Sequence, residues 1–179
     1  ALDRPPEELA RRVVELRRWV GLHYIEQDEA YREMVRDCIE DVTGAVAGWH
    51  ERISRPEGYI FLSPPGSVTP AHVDHEHNFL LQVEGTKTMT IGFLDPDREE
   101  RLLESMYDGH YGRTDALPDE CESFVLEPGT GVYVPPRSVH LVENHANVSI
   151  SFSLVFHAPS LDREALVYAF NAKTRRLGL

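Results

Sequence analysis

Cysteine is nearly missing from this chain. Its 179 residues hold two, Cys38 and Cys121, far apart and without a CxxC spacing, which excludes a disulfide framework and a zinc knuckle and leaves two free thiols. Basic residues are scarce as well: 18 Lys and Arg against 30 Asp and Glu give a formal net charge of -12. No nucleic-acid partner is expected, because such binding rests on Lys and Arg neutralising phosphates. A small molecule or a basic peptide suits this charge better. No apolar run approaches the ~18 residues of a membrane span, and no signal-peptide pattern opens the chain. The expectation is a soluble, cytoplasmic protein. Repeats, low-complexity tracts and linkers are absent too, so residues 1–179 read as one domain, long enough to bury a substantial core. The chain opens on Ala1 rather than Met, which is consistent with residues upstream of it.

What is present divides by periodicity. The N-terminal part, about residues 1–50, reads as helical. "PPEELARRVVELRRW" places Leu9, Val13, Leu16 and Val20 at helical spacing, and "DEAYREMVRDCIEDVTGAVAGW" starts at a possible N-cap, Asp28, with Tyr31, Val35 and Ile39 on one stripe. The short "WVGLHYI" between them is strand-like. From Gly58 to His157 the pattern is β: "GYIFLS", "NFLLQVEG", "TKTMTIGFL", "SFVLEPG", "GVYVPP", "HLVEN" and "NVSISFSLVFH" are short, rich in Val, Ile, Phe and Thr, and bounded by Pro, Gly, Asp or Asn. Such a series predicts a sandwich or barrel. A short helix and a long polar loop fill the stretch from Asp95 to Glu120, which is expected to lid a site. The end, about 160–176, predicts a helix capped at Ser160, with Leu161, Ala165, Tyr168 and Ala169 as a stripe for its own barrel or for a homodimer contact.

Chemistry concentrates in "TPAHVDHEHNFLLQVEGTK", residues 69–87. Read as one extended strand, it puts His72 and Asp74 on one face and His75 and His77 on the other. Downstream, Gly129, Pro135, His140 and Asn144 follow at fixed intervals, and upstream Gly66 and Gly85 bracket His72 and Asn78. In "TKTMTIGFL", Lys87 shares the apolar face of Met89, Ile91 and Phe93. An inward ammonium there needs an anion to offset its desolvation; the competing reading is a lysine at a strand end that snorkels to solvent. In "VSISFSLVF" the apolar face is Val148, Ile150, Phe152, Leu154 and Phe156. Ser149, Ser151 and Ser153 then face either water or a polar pocket inside a barrel.

These spacings resemble the paired motifs of the cupin superfamily, with Asp74 in place of the second histidine of the first motif. Within that superfamily the stretch resembles the JmjC-type iron and 2-oxoglutarate oxygenases. Their pattern is Thr-Pro-x-His-x-Asp, an Asn four residues after the Asp and a Lys thirteen after it, and it recurs here as Thr69, His72, Asp74, Asn78 and Lys87. The resemblance spans residues 58–157 and extends more loosely to "HYIEQDEAYREMV". Arg137 stands where the second motif usually has Gly, and Asn78 where the first usually has Glu.

The resemblance implies a double-stranded β-helix, a cupin jelly roll, over about 58–157. It implies Fe(II) held by His72, Asp74 and His140, with 2-oxoglutarate as co-substrate and molecular oxygen as oxidant. The far carboxylate of 2-oxoglutarate would pair with Lys87 and accept a hydrogen bond from Thr69. Asn78 and Ser153 would line the pocket, while Asn144 reads as a turn residue. Tyr24, Tyr59 and Tyr133 are candidates for a second hydroxyl. Two imidazoles and one carboxylate leave three positions of an octahedral ion open, as a bidentate co-substrate and oxygen require. Structural zinc would want a fourth protein ligand, which His75, Glu76 or His77 could supply. Asp74 argues against a halogenase, whose halide would take the carboxylate's position. The expected activity is hydroxylation of a peptide or protein side chain or of a small natural product. A cupin enzyme that uses its metal without 2-oxoglutarate, and a non-enzymatic ligand-binding module, are the two other classes open at this point.

Overall fold

A computed structural model describes residues 6–45, 52–107, 112–115 and 117–178; within the first helix the side chains of residues 6, 7, 9 and 10 are also outside the description. Thus Leu9, residues 46–49 of the predicted second helix and part of the Asp95–Glu120 loop lie outside the described residues.

Helix α1 (Pro6–Leu16) leads to strand β1 (Val20–His23), and after a 3-10 turn (Ile25–Gln27) comes α2 (Glu29–Ala45). Val13 is buried on α1, but Leu16 is 61% exposed, and Val20 belongs to β1 rather than to the helical stripe. Asp28 does cap α2: its side chain accepts the Ala30 N–H at 2.9 Å. Of the α2 stripe, Val35 and Ile39 are buried, and Tyr31 faces outward.

Two antiparallel sheets follow. The first has the order β1-β2-β9-β4-β7, with β2 (Ser54–Ser63), β4 (His77–Glu84), β7 (Gly131–Val134) and β9 (Ser149–His157). The second runs β3-β8-β5-β6, with β3 (Val68–His72), β5 (Lys87–Gly92), β6 (Cys121–Leu126) and β8 (Val139–Asn144). This is the expected jelly roll, mainly β with helices at its ends. Strand β3, which contains Pro70, was not among the predicted strands. It ends at His72 and β4 begins only at His77, so residues 72–77 are a strand end and a turn, not one extended segment.

The polarity of the first sheet explains its packing. Phe152, Leu154 and Phe156 point outward and join Phe79 under Ile25, Val35 and Ile39, so the helical layer takes the most apolar face. The alternate residues Ser149, Ser151 and Ser153 are fully buried and point inward. Ser151 donates to Gln82 at 2.7 Å and Ser153 to Asn78 at 2.8 Å, which satisfies hydroxyls that burial would otherwise penalise. Leu80, Met89, Ile91, Leu126 and Val134 form an apolar cluster with side chains from both sheets.

Outside the second sheet, α3 (Pro96–Tyr107) and α4 (Pro159–Arg176) pack together over Ala71, Val73 and Val139. Helix α4 starts one residue earlier than predicted: Ala158 occupies the N-cap position without a side-chain bond and Pro159 supplies the first turn, so Ser160 is not the cap. Its Tyr168 packs on its own barrel. Phe93 lies beyond β5 and is 58% exposed, so the inward face of that strand ends at Ile91.

Candidate metal centre

Strand register brings two distant histidines together. His72 on β3 and His140 on β8 are directly paired, and their ring centroids lie 4.1 Å apart. Asp74, two residues past the end of β3, turns back so that its Oδ2 is 3.9 Å from Nε2 of His72 and 3.5 Å from Nε2 of His140. One donor atom from each of the three residues lies within 4.8 Å of the others. The backbone holds this turn in place: the Asp74 carbonyl accepts the Arg137 N–H at 2.9 Å, and Val73 donates to Gly112 at 2.9 Å. Arg137 adopts φ 67°, the left-handed conformation that glycine serves in the motif it departs from. Its guanidinium reaches Glu99 at 3.3 Å and Glu164 at 3.5 Å, tying α3 and α4 to the turn.

The other ring nitrogens fix the tautomers. Nδ1 of His72 lies 2.8 Å from the Pro70 carbonyl oxygen and Nδ1 of His140 lies 3.1 Å from that of Ser138. A carbonyl can only accept, so each Nδ1 carries a proton and Nε2 is the ring nitrogen turned toward Asp74. Burial lowers the His72 pKa, helped by neighbouring His140, against the opposing pull of Asp74. Burial pushes the Asp74 carboxyl upward, but the hydrogen bond and charge of His140, with His72 and His75, outweigh it and hold the group below its usual range. A metal ion binding there needs both Nε2 lone pairs and the ionised carboxylate, so it would displace any Nε2 proton shared with Asp74.

The cluster opens onto a cavity of about 640 Å³ between the sheets. Thr69, Asn78, Lys87 and Ser153 all line it. Lys87 is 3% exposed, has no ion-pair partner among the described residues, and is lowered to about 8 by burial. It therefore does not snorkel. Cross-strand pairs Lys87↔Asn144, Met89↔Val142 and Ile91↔His140 place it four residues along the strand from the histidine, about 13 Å between Cα atoms.

Several other expectations are corrected here. His75 lines the same cavity rather than facing away, although it is not one of the three converging donors. His77 sits outside the barrel, 2.6 Å from the Tyr133 hydroxyl and stacked on Phe156. Tyr133 is thereby removed from the cavity, and of the three tyrosines only Tyr59 lines it. Asn144 donates to the carbonyls of Ser63, Pro64 and Asn147, a purely structural tie.

Trp19, His23 and Phe61 complete an aromatic wall with Tyr59, while Glu76, Met106 and Arg113 border the rest. Trp19, His23, Phe61, Met106 and Arg113 were not read from the sequence, whereas Glu76 had been named as a possible fourth ligand and Tyr59 as a candidate hydroxyl. The alternation Tyr59, Phe61, Ser63 on β2 was a usable signal; Arg113, in an undecoded loop, gave none.

An antiparallel jelly roll with two imidazoles and a carboxylate converging inside its mouth defines a cupin-type metal-binding protein. The sequence model of the JmjC domain matches residues 46–163, more than half of the chain, and the protein belongs to that family of cupin-type, metal-dependent enzymes. Jumonji C domain-containing protein 5 of Drosophila melanogaster is 31% identical over 106 residues, covering 51% of this chain and 26% of that protein. JmjC domain-containing protein D of Dictyostelium discoideum is 30% identical over 108 residues, covering 52% and 23%. The chain thus spans about a quarter of the length of these relatives. The solved structure of E. coli ycfD superposes with a TM-score of 0.54 at 22% identity, over 79% of this chain and 34% of that one, a likeness of fold. No helix among the described residues is long and apolar enough to cross a membrane.

Proposed function

We propose that the protein is an Fe(II)- and 2-oxoglutarate-dependent oxygenase that hydroxylates a peptide side chain or a small molecule. The observation that carries this reading is Lys87. A buried ammonium is costly without a counter-charge. Here it stands in the wall of the cavity that holds the three-donor cluster, with no carboxylate of the described chain beside it. An anion entering from solvent would offset that cost, and a dicarboxylate would leave its second end free for the metal.

His72, Asp74 and His140 would hold the iron through Nε2, a carboxylate oxygen and Nε2, leaving coordination positions open toward the cavity. Iron(II) bound there would supply oxygen activation, with 2-oxoglutarate and dioxygen converted to succinate and carbon dioxide as one oxygen atom enters the substrate C–H bond. The chain's own part is positional. The Pro70 and Ser138 carbonyls keep the rings oriented, Lys87 and Thr69 take the far carboxylate, and the Ser153–Asn78 bond keeps the opposite wall polar but internally satisfied. Tyr59 and Phe61 shield the interior from bulk water.

The test is anaerobic titration of 2-oxoglutarate into iron-loaded protein. A visible charge-transfer band, and succinate formation on admitting oxygen, are expected. Folded, iron-loaded protein that gives no band would refute the reading and leave a cupin enzyme that uses its metal otherwise.

A further inference from the structure

The two metal-facing histidines belong to a longer row across the second sheet. Ile91 pairs with His140, His140 with His72, and His72 in turn with Arg113 through an isolated antiparallel bridge. Residues directly opposite one another in an antiparallel pair point to the same face, with Cβ atoms about 4.5–5.5 Å apart. The Arg113 side chain therefore leaves the backbone on the side of the two imidazoles, and it borders the cavity. Backbone bonds fix its segment against β3: Val73 donates to the Gly112 carbonyl at 2.9 Å and Thr114 to that of Ala71 at 3.1 Å. Gly112 has φ 59°, and a Cβ there would meet the Val73 carbonyl oxygen at 2.5 Å, so this close approach needs glycine.

Arg113 is exposed and has no ion-pair partner among the described residues, although two carboxylates border the same cavity. Both are engaged elsewhere. Asp74 faces the two imidazoles, and Oε1 of Glu76 lies 3.5 Å from Nε2 of His157. A guanidinium presents a planar fork of N–H donors that fits one carboxylate bidentately. Lys87 stands on the far side of β8 and β3 from Arg113 and four residues along β5 from Ile91, so the two cations flank the donor cluster from opposite sides. The aromatic wall indicates the rest of the ligand. Tyr59 and Phe61 alternate inward from β2 with rings parallel within 6°, and Trp19 meets Phe61 edge-on at 6.2 Å. A flat apolar group is what such a panel receives.

We propose that Arg113 sets the specificity of this cavity by binding the carboxylate of a small acid whose flat apolar body, such as an aromatic ring, rests on Tyr59 and Phe61. The net charge of -12 does not by itself suggest an anionic ligand. Charges farther away than a Debye length of about 8 Å are largely screened, however, and the guanidinium beside the donors acts at contact. Oxidation of the acid rests on the oxygenase reading above; its binding does not.

Isothermal titration of 3-phenylpropionate into the metal-free 179-residue chain tests the proposal, with 3-phenylpropanamide as the neutral counterpart. The acid should bind about tenfold or more tightly than the amide, and Arg113→Gln should remove that difference. Far-UV circular dichroism should be unchanged, because the replaced side chain is exposed. Arg113→Lys should restore part of the preference, since the charge returns without the fork. Lys87→Ala should leave it in place. An acid that binds no more tightly than the amide, a preference that survives Arg113→Gln, or one that is lost in Lys87→Ala overturns the proposal. The co-substrate reading fails separately: a missing charge-transfer band beside an intact acid preference leaves Arg113 in this role, and a band without the preference removes the role alone.

Discussion

The donor set is small, so each member should be indispensable. With three converging side chains, Asp74→Ala or His140→Ala is expected to abolish stoichiometric iron binding, measured by metal analysis after gel filtration. His75→Ala should retain it, because His75 borders the cavity outside the converging donors. On the proposed function, Lys87 would act on the co-substrate alone. Truncating one partner of a buried charge pair costs about 2–5 kcal/mol, so Lys87→Ala should weaken 2-oxoglutarate binding roughly 30-fold or more while iron stays bound. Lys87→Arg should also be impaired, though less, because a planar guanidinium must fit the space of a compact ammonium.

The pH dependence of Lys87 has a definite sign. Its folded value, lowered by burial to about 8, lies below the ordinary 10.5. The unfolded chain therefore binds more protons between those values, and this group's contribution makes the fold more stable as pH rises through that window. On the proposed function the dicarboxylate would require the ammonium, so its affinity should fall as pH rises above about 8. Isothermal titration in wild type should show that decline and Lys87→Ala should lack the lysine-dependent part of it.

Among the elements, β9 separates two tasks by its alternation. Its outward residues hold α2 to the barrel and its inward serines furnish the cavity wall. Leu154→Ala removes a fully buried side chain from the outer layer and should cost about 2–5 kcal/mol in chemical denaturation. The iron stoichiometry of the folded fraction should be unchanged, since no metal donor lies on β9. A loss of iron at full helicity would mean that the outer layer positions the donors. Gly85, between β4 and β5, has φ 73°, and a Cβ there would meet the Val148 carbonyl oxygen at 2.4 Å. The turn that launches Lys87 into the barrel therefore accepts no side chain.

Across the whole molecule, metal binding should couple to folding. The donors come from the end of β3 and from β8, and they meet only when those strands are paired. Ligand that binds the folded chain alone stabilises it by RT ln(1 + [L]/Kd), about 2.7 kcal/mol at a hundredfold excess over Kd. Anaerobic Fe(II) should accordingly raise the melting temperature of wild type, and the shift should vanish in Asp74→Ala.

Side-chain chemistry and period were legible in the linear order of residues. Thr69, His72, Asp74, Asn78 and Lys87 could be singled out by their match to the family pattern, and the shared face of Lys87, Met89 and Ile91 followed from the two-residue repeat of a strand. A sandwich or barrel followed from the series of short β segments, and the jelly roll from the family resemblance that the motifs carry. Period alone does not say which face is inside, because Ser149, Ser151 and Ser153 alternate with apolar residues whether the polar side meets water or a polar cavity. That choice fell to α2, which covers the apolar face. Nor does local pattern report register. The pairing of His72 with His140, the turn that swings Asp74 between them, the removal of His77 and Tyr133 to the outer layer, and the approach of Trp19 and Arg113 to the cavity all depend on contacts between segments far apart in the chain. Those contacts form only when the two sheets close on one another, which is why the residues of the site could be read one by one while their arrangement required the folded molecule.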